Sequence, residues 1–434
     1  MTTRHTVVMV TTSYPRFPGD TYGTFMEPIA RGVASLGHDV HLVAPWHPGM
    51  RRPREEHGVQ FHFFRYAPLS RLYVFGYAGA LKADVSLRTS AYAVAPFALT
   101  SGWATARAVR RRVGATVVHG HWVIPGGVIG AAAAGSTPLL VSVHGSDLYV
   151  AERHALARRA AAWAFRRAGW VTACSADLLA RAVAMGAPTD RSEVVPYGVD
   201  ADRFRPDHER RAACRSRLGV GEDAPLLFSA GRFVRKKGFE YLLEAVARLA
   251  DRWPRLTLVM AGDGDLADEL RGQAVRLGIA GRLRFVGTVG QHEVAEYLAA
   301  ADISVVPSVR DAAGNVDGLP NVVMESMASG TPLVTTAAGG IGAVAEADHT
   351  ALVVPEHDAE ALSAAIHRLL ASPAERRRLG AAARSQALAR YTWSGVARRF
   401  VSIYDRLGCR AGSVRSPDAN AGGGRRETGD VAES

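Results

Sequence analysis

Strand-like and helix-like segments alternate along almost the whole of this 434-residue chain. Twelve short apolar runs read as strands, six before residue 200 and six after residue 225, and amphipathic stretches separate them. Predicted strands cover 7–12, 40–44, 116–121, 139–144, 171–175, 193–196, 226–231, 256–261, 283–287, 303–307, 332–335 and 351–354. Predicted helices include 24–36, 91–112 and 153–167. Such alternation predicts parallel sheets covered by helices on both faces.

The repetition of this pattern predicts two domains, since 434 residues exceed one typical hydrophobic core. We expect an α/β protein with two Rossmann-like, doubly wound domains that face each other across a cleft. Residues 1–198 form the first predicted domain and residues 199–389 the second. A last helix over 390–408 follows. The Gly-rich, Ser-containing segment 409–434 is predicted to be disordered.

Composition and cysteine content indicate a soluble globular protein in a reducing compartment. The hydrophobic fraction is 48%, and Cys174, Cys214 and Cys409 show neither metal-ligand spacing nor a disulfide framework. The first residues lack a signal-peptide pattern, and no apolar run is long enough to span a bilayer. These features predict a cytoplasmic protein.

Positive charge is concentrated in the first half of the chain. Residues 1–200 carry 21 Lys and Arg against 12 Asp and Glu, a net charge of +9, whereas the whole chain carries +11. The excess suits an anionic acceptor or an anionic membrane surface, including a peripheral position on the inner face of a membrane. Solvated helix faces explain most of these arginines equally well. No nucleic-acid-binding motif accompanies them, so we expect no nucleic-acid partner.

The segment from Asp317 to Glu325 is the most specific chemical feature of the sequence. Its first carboxylate precedes Gly318, Leu319 and Pro320, and its second lies in the helix that follows. We expect Gly318 to let the backbone approach a ligand and Asn321 to cap the helix, whose free N–H groups attract an anion. A phosphate site flanked by two hydroxyl-binding carboxylates suits a nucleotide-sugar. A loop Asp and a helical Glu also occur together without any ligand.

A second candidate site is the basic loop after the first strand of the second half. Arg232 and Lys237 flank this loop, where a guanidinium fork and a compact ammonium can hold a diphosphate. An ordinary basic turn is the alternative, because Arg235 and Lys236 have no evident purpose. Combined with the segment at Asp317, the loop favours a departing diphosphate.

The first half contributes two histidines at strand ends. His121 and His144 are both expected to open onto the cleft, and Asp147 follows His144 in a Gly-rich turn. Strand-end histidines are often structural, so this signal alone is modest. His119 is expected to face away from His121. The loop after the first strand carries Gly19 and Gly23, whose backbone N–H groups can contact a phosphate or a sugar.

Metal and dinucleotide sites find little support in the sequence. The patterns Asp263-Gly-Asp265 and Asp200-Ala-Asp202 resemble metal-dependent sugar-transfer motifs, but aspartates are common in turns and neither pattern licenses a metal. No Gly-x-Gly-x-x-Gly follows the first strand, which removes the main support for a dinucleotide. We therefore expect no metal and no cofactor.

In their order and spacing, these segments resemble the retaining glycosyltransferases of family four, which have the GT-B fold. The resemblance extends from about residue 11 to residue 407. It includes His-Gly-His-Trp at 119–122, Val-His-Gly-Ser-Asp at 143–147, Gly-Arg…Lys-Gly at 231–238 and the segment 317–325. It implies transfer of a hexose from a nucleotide-diphosphate sugar to an acceptor hydroxyl by a front-face route without a metal. The acceptor would be a glycan, a lipid-linked sugar or a small molecule.

Residue roles also follow from this resemblance. Arg232 and Lys237 would hold the diphosphate, and Glu325 the ribose hydroxyls. Asp317 and the amides of 318–321 would bind the donor sugar. His121 would contact the sugar near the reacting carbon. The last helix would cross back onto the first domain.

The chain departs from the family's usual pattern at three places, and other functions remain open. It has Asp317 where Glu is usual, Tyr197 where Asn is usual, and Pro-Gly-Asp-Thr-Tyr-Gly at 18–23 in place of paired glycines. A nucleotide-sugar epimerase on the same fold would need no acceptor. A non-catalytic partner would bind nucleotide without turnover. A phosphorylase lacks a clear lysine for its pyridoxal cofactor.

Overall fold

The computed structural model describes residues 3–413, apart from Thr21, 76–80, 83–85 and 88. Its strands are β1 (Thr6–Val10), β2 (Asp39–Pro45), β3 (Glu55–Glu56), β4 (Val59–Phe64), β5 (Leu81–Lys82), β6 (Ser86–Leu87), β7 (Val117–His121), β8 (Leu139–Val143), β9 (Trp170–Ala173), β10 (Ser192–Val194), β11 (Leu226–Ala230), β12 (Thr257–Ala261), β13 (Leu283–Gly287), β14 (Ile303–Val306), β15 (Leu333–Thr336) and β16 (Ala351–Val354).

Helices separate most of the strands. They are α1 (Met26–Ser35), α2 (Thr89–Arg112), α3 (Val128–Ala134), α4 (Ser146–Arg153), α5 (Ala155–Arg167), α6 (Ala176–Ala184), α7 (His208–Leu218), α8 (Phe239–Leu249), α9 (Ala267–Arg276), α10 (Gln291–Ala300), α11 (Asn321–Ser329), α12 (Ala359–Ala371), α13 (Pro373–Arg390) and α14 (Trp393–Ser413).

The first sheet has eight strands in the order β10-β9-β8-β7-β1-β2-β4-β3, and every pairing is parallel except that of β3 with β4. Its central strands are buried on both faces, which explains why they read as continuous apolar runs. Strand β1 lies between β2 and β7, so later strands are added on one side of β1 and then on the other. In open parallel sheets such a switch point opens a ligand crevice at the carboxyl ends of the strands.

The second sheet has six parallel strands in the order β13-β12-β11-β14-β15-β16. Here β11 lies between β12 and β14, so the switch point falls at the carboxyl end of β11. The loop that begins at Gly231 and the segment that contains Asp317 follow β11 and β14 respectively. Topology therefore brings the two most informative sequence segments to one edge of one sheet.

The last helix, α14, packs against the first sheet although it follows the second in sequence. A Cβ added at Gly32 of α1 would lie 2.8 Å from the Cβ of Ala397 in α14, so the two helices are in close contact. The buried hydroxyl of Tyr404 hydrogen-bonds His119 Nδ1 at 2.8 Å. The helix spans Trp393–Ser413 rather than 390–408, and residues 414–434 lie outside the described residues. A domain boundary between residues 198 and 199 remains our proposal.

All twelve predicted strands are present, and the differences from prediction are local. Strand β4 was missed, although Val59 and Phe61 are buried and Gln60 is exposed, as in a half-buried strand. The predicted helix over 153–167 is α5, which begins at Ala155 because His154 has extended backbone angles that separate it from α4. Among the described residues, no helix is long and apolar enough to cross a membrane.

Candidate functional site

A cleft of about 1790 Å³ lies between the carboxyl edges of the two sheets. The first sheet lines it with the loops after β1, β7 and β8, and the second with the loops after β11, β12, β13 and β14. The predicted site residues that line the cleft are Gly19, Gly23, His144, Asp147, Arg232, Lys237, Asp317, Gly318, Leu319, Pro320, Asn321 and Glu325. His121 is the predicted site residue that does not.

The centre of the second-sheet wall is a buried carboxylate shared by two lysines. The Asp317 carboxylate lies 2.7 Å from Lys237 Nζ and 3.3 Å from Lys236 Nζ. Burial disfavours its charge, but the two ammonium groups outweigh burial and hold the pKa of Asp317 well below its usual range. Arg232, five residues before Lys237 in the same loop, also lines the cleft. The loop after β11 thus brings three cations to this wall.

The cations of the basic loop point in different directions. Arg235 points away from the cleft to Glu269, 2.6 Å away, whereas Lys236 and Lys237 point into it. The turn closes at Gly238, whose φ of 63° and close approach to the carbonyl of Pro307 exclude a side chain. Lys236, which had no assigned role in the sequence analysis, therefore lines the candidate site, and Arg235 does not.

Helix α11 directs its N-terminus into the cleft through Pro320 and Asn321. Pro320 occupies the N-cap position, and no side chain caps the helix, so the predicted cap at Asn321 was wrong: Asn321 is the first helical residue. In the first turn, the N–H group of Val323 donates to the carbonyl of Pro320, whereas those of Asn321 and Val322 have no side-chain cap and can donate to a ligand. The helix dipole favours a negative ligand there.

Glu325 lies in the second turn of α11, with its carboxylate facing the cleft. Glu325 is 8% exposed, and its carboxylate oxygens make no hydrogen bond within the described part of the chain. Burial raises the pKa of Glu325 to about 7, and Arg203 only partly offsets this effect. A buried carboxylate without partners is costly, so this group is prepared for a ligand that donates hydrogen bonds.

On the first-sheet wall, His144 rather than His121 meets the cleft. The His121 ring is fully buried behind it, with Nδ1 3.2 Å from His144 Nε2, and burial lowers the pKa of His121 to about 3. The prediction that both histidines open onto the cleft was therefore wrong for His121. His119 was expected to face away from His121, but their ring centroids are 3.9 Å apart, because residues two apart in a strand share a face.

Tyr197, which stands where related chains usually have Asn, contacts the cleft histidine His144. Its hydroxyl hydrogen-bonds His144 Nδ1 at 2.9 Å. His144 is thereby held from both ring nitrogens, by Tyr197 and by His121. Burial, reinforced by His121, lowers the pKa of His144 well below its usual value, so this imidazole is neutral in the cleft.

Asp147 and the first glycine loop have clear structural tasks. The 3% exposed carboxylate of Asp147 accepts hydrogen bonds from the backbone N–H groups of Val123, His144 and Gly145. It therefore fixes the loops after β7 and β8, and its oxygens are already occupied. Gly23 has a φ of 64° and lies against Ser13, which leaves no space for a side chain.

Helices α4 and α6 of the first sheet directly contact the loop that carries Asp317. The Tyr149 hydroxyl donates a hydrogen bond of 2.7 Å to the carbonyl of Val316. A Cβ added at Gly318 would lie 2.8 Å from Leu178 and 2.9 Å from the sulfur of Cys174. Packing between the two sheets therefore leaves no space for a side chain at Gly318.

Comparison with known proteins identifies the family. The model "Glycosyltransferase Family 4" matches residues 23–203, and the model "Glycosyl transferases group 1" matches residues 211–386. A GDP-mannose-dependent alpha-(1-6)-phosphatidylinositol monomannoside mannosyltransferase of Mycolicibacterium smegmatis is 32% identical over 261 residues, 60% of this chain and 68% of that protein. The chain belongs to the family-four glycosyltransferases.

Other relatives of this glycosyltransferase differ in their named substrate. A D-inositol 3-phosphate glycosyltransferase of Stackebrandtia nassauensis is 36% identical over 244 residues, which are 54% of this chain and only 53% of that relative. Solved structures support the GT-B fold. The structure of sucrose-phosphate synthase of Thermosynechococcus elongatus aligns with a TM-score of 0.75 and 22% identity. The alignment covers 93% of this chain and 100% of that one. HepE of Anabaena in complex with UDP (TM-score 0.72, 19% identity) covers 92% and 100%.

The buried Glu325 generates a prediction about stability. The unfolded chain releases this proton near pH 4.5 and the folded protein near pH 7, so ionised Glu325 destabilises the folded state increasingly between these values. We expect Glu325→Gln to raise the free energy of unfolding by roughly 1 kcal/mol at pH 5 and roughly 3 kcal/mol at pH 8. Denaturant unfolding at both pH values measures the difference.

The matched control is Glu55→Gln, which changes an exposed carboxylate on the first sheet. It should alter stability by less than about 0.5 kcal/mol at either pH. A Glu325→Gln variant with the same advantage at pH 5 and pH 8 would show that Glu325 titrates normally.

Proposed function

We propose that this glycosyltransferase binds the diphosphate of a nucleotide-sugar on Arg232, Lys236 and Lys237 and transfers the sugar, with retention, to an acceptor hydroxyl. The observation that supports this most strongly is the convergence of these cations with the uncapped N-terminus of α11 at one switch point. Charge that develops on the leaving diphosphate is stabilised by fixed donors in a cleft of low polarity. These groups supply the countercharge themselves, and we propose that no metal is required.

In this proposal the two carboxylates of the segment take separate parts of the donor. Glu325 accepts hydrogen bonds from the ribose hydroxyls, which gives its buried oxygens the donors that they lack. Asp317 and the amides of residues 318–321 bind the sugar hydroxyls. The neutral His144, held by Tyr197 and His121, lies on the opposite wall and contacts the sugar from the acceptor side.

A front-face route suits this arrangement better than a carboxylate nucleophile. The carboxylate next to His144 is Asp147, and its oxygens are occupied by three backbone N–H groups. Asp317 is engaged by two lysines, and in this proposal it accepts hydrogen bonds from the sugar hydroxyls once the diphosphate binds those lysines. A covalent glycosyl intermediate would need an available carboxylate under the sugar. We propose instead that the departing phosphate helps to remove the acceptor proton. Nothing in the site favours an epimerase.

Nucleotide binding is the first test, because relatives of this chain are named for different donors. Purified protein is unfolded thermally with UDP, GDP or ADP, each with and without magnesium. One nucleotide at about 100 times its dissociation constant should stabilise the fold by roughly 2.7 kcal/mol, visible as a rise in Tm. The rise should be the same without magnesium. Stabilisation that requires magnesium would contradict metal-independent binding, and no rise with any nucleotide would contradict the proposed donor site.

Turnover tests the diphosphate assignment. Arg232→Ala and Lys237→Ala should each lower kcat about 10²- to 10³-fold, because each removes a charge that stabilises the leaving group. Release of the nucleoside diphosphate from the donor measures the rate. Arg235→Ala is the matched control: it removes a neighbouring cation that faces Glu269 and should leave kcat within about twofold. Folded variants of Arg232 or Lys237 with near-normal kcat would exclude the assignment, and nucleotide binding without any turnover would favour a non-catalytic partner.

We also propose that the first domain rests on an anionic membrane surface. Two Trp–Arg pairs flank α3: Arg107 lies over Trp103 on α2, and Arg167 lies over Trp163 on α5. Trp103 and Arg167 are exposed, and Arg107 and Trp163 are partly buried. Trp103 Nε1 and Arg167 Nε both hydrogen-bond carbonyls of α3, so the pairs share one face. Tryptophan and arginine together suit a lipid headgroup region. The segment 72–77, which we also expect to contact a membrane, lies partly outside the described residues.

Vesicle sedimentation tests this surface. The protein should bind phosphatidylglycerol-containing vesicles at low salt and should not bind pure phosphatidylcholine. Arg111→Glu with Arg159→Glu, both exposed on α2 and α5, should reduce binding at least tenfold, since each basic residue contributes about 1 kcal/mol at such a surface. Arg248→Glu on α8, next to the second sheet, is the control and should change binding little. Equal binding to neutral vesicles would exclude an electrostatic surface.

A further inference from the structure

Trp122 has a backbone conformation that a large side chain rarely adopts. Its φ is 58° and its ψ is 112°, whereas such values are usually left to glycine. The residue directly follows His121 at the end of β7, and hydrogen bonds to Ser142 and Gly127 fix its backbone. A strained residue at the edge of a site is retained when its side chain is needed in that position.

The indole of Trp122 belongs to an aromatic wall on the first-sheet side of the cleft. Its ring centroid is 5.2 Å from that of Phe25 and 4.7 Å from that of His144, and all three residues line the cleft. Trp122 Nε1 makes no hydrogen bond within the described residues. The wall therefore presents an apolar face with one unused N–H donor at its edge.

This wall lies next to the position proposed for the donor sugar. The carbonyl of His144 is 3.5 Å from where a Cβ of Gly318 would be, so Trp122, His144 and the turn after Asp317 follow one another across the cleft. An acceptor must approach the donor sugar from the first-sheet side. The indole is thus a neighbour of the acceptor rather than of the nucleotide.

The charges of this wall indicate which acceptor it suits. Among the described first-sheet residues that line the cleft, Arg31 is the only arginine or lysine. The lining carboxylates of Asp20 and Glu27 are paired with Arg16 and Arg52, so these two arginines are already engaged. A phosphorylated acceptor would need paired cations to replace its hydration. A sugar ring instead has a C–H face for an aromatic surface and hydroxyls for a few directed donors.

We propose that Trp122 is an acceptor-binding residue on which a neutral sugar ring stacks, so that the acceptor is a glycoside rather than a phosphorylated small molecule. This inference rests on the proposed function. The wall made by Trp122, Phe25 and His144 holds the ring face, and Nε1 of Trp122 donates to one of its oxygens. The reacting hydroxyl is thereby directed at the sugar held by the turn after Asp317.

The test uses neutral octyl pyranosides (mannoside, glucoside and galactoside) and, for comparison, myo-inositol 1-phosphate as acceptor probes. The donor carries the nucleotide that stabilises the protein. Transfer to at least one octyl pyranoside is expected. Trp122→Ala should raise the acceptor KM at least about tenfold, with donor KM unchanged and donor hydrolysis to water retained. Trp122→Phe, which keeps a ring, should stay within about threefold.

A packing role is separated from binding by Trp122→Gly. Because glycine tolerates positive φ, this variant should unfold at the same or a higher temperature while it loses acceptor affinity. An acceptor KM for Trp122→Ala within twofold of the original would overturn the proposal. So would donor consumption with transfer to inositol phosphate alone or to no octyl pyranoside. Failure to bind any nucleotide or to consume any donor would instead contradict the proposed function.

Discussion

The carboxylate of Asp317, shared by Lys236 and Lys237, joins two loops of the second-sheet wall of the cleft. One loop follows β11 and carries both lysines in a single 3-10 turn, Arg235–Lys237, and the other follows β14 and carries Asp317. Without Asp317, two ammonium groups would lie side by side in a partly desolvated cleft. With it, the cations are held in place before any anion arrives. In the proposed function, a diphosphate would compete with Asp317 for the lysines, and the carboxylate would then accept hydrogen bonds from the sugar hydroxyls.

The same loop is also fixed from the opposite side of the cleft. Tyr149 binds the carbonyl of Val316, and Gly318 packs on Cys174 and Leu178. The turn that would bind the donor sugar is therefore positioned by both domains, not by its own sheet alone. Any movement between the sheets must change these contacts together with the geometry at Asp317. Helix α14, which follows the second sheet but packs on the first, ties the two further.

The strands and the loops that carry the site could be predicted from the sequence, because they depend on periodicity and local order. The directions in which individual side chains point could not. Parallel strands were recognised because their burial on both faces makes them uniformly apolar, and their carboxyl ends then placed Arg232 and Asp317 at one edge. Which cation of the basic loop faces the ligand was not predictable, because it depends on partners such as Glu269 that are distant in sequence. His121 was misplaced for the same reason: a strand end does not reveal which neighbouring side chain covers it.

The placement of charge distinguishes the two walls and the outer surface. The first half carries a net charge of +9, yet its described cleft lining contributes one basic residue, Arg31. Arg16 and Arg52 are paired with the cleft-lining carboxylates of Asp20 and Glu27. Arg107 and Arg167 lie on the outer helices beside Trp103 and Trp163. An anionic acceptor headgroup would instead require unpaired basic residues on the first-sheet wall of the cleft. A neutral ring on the aromatic wall, presented at an anionic surface, agrees with both placements at once.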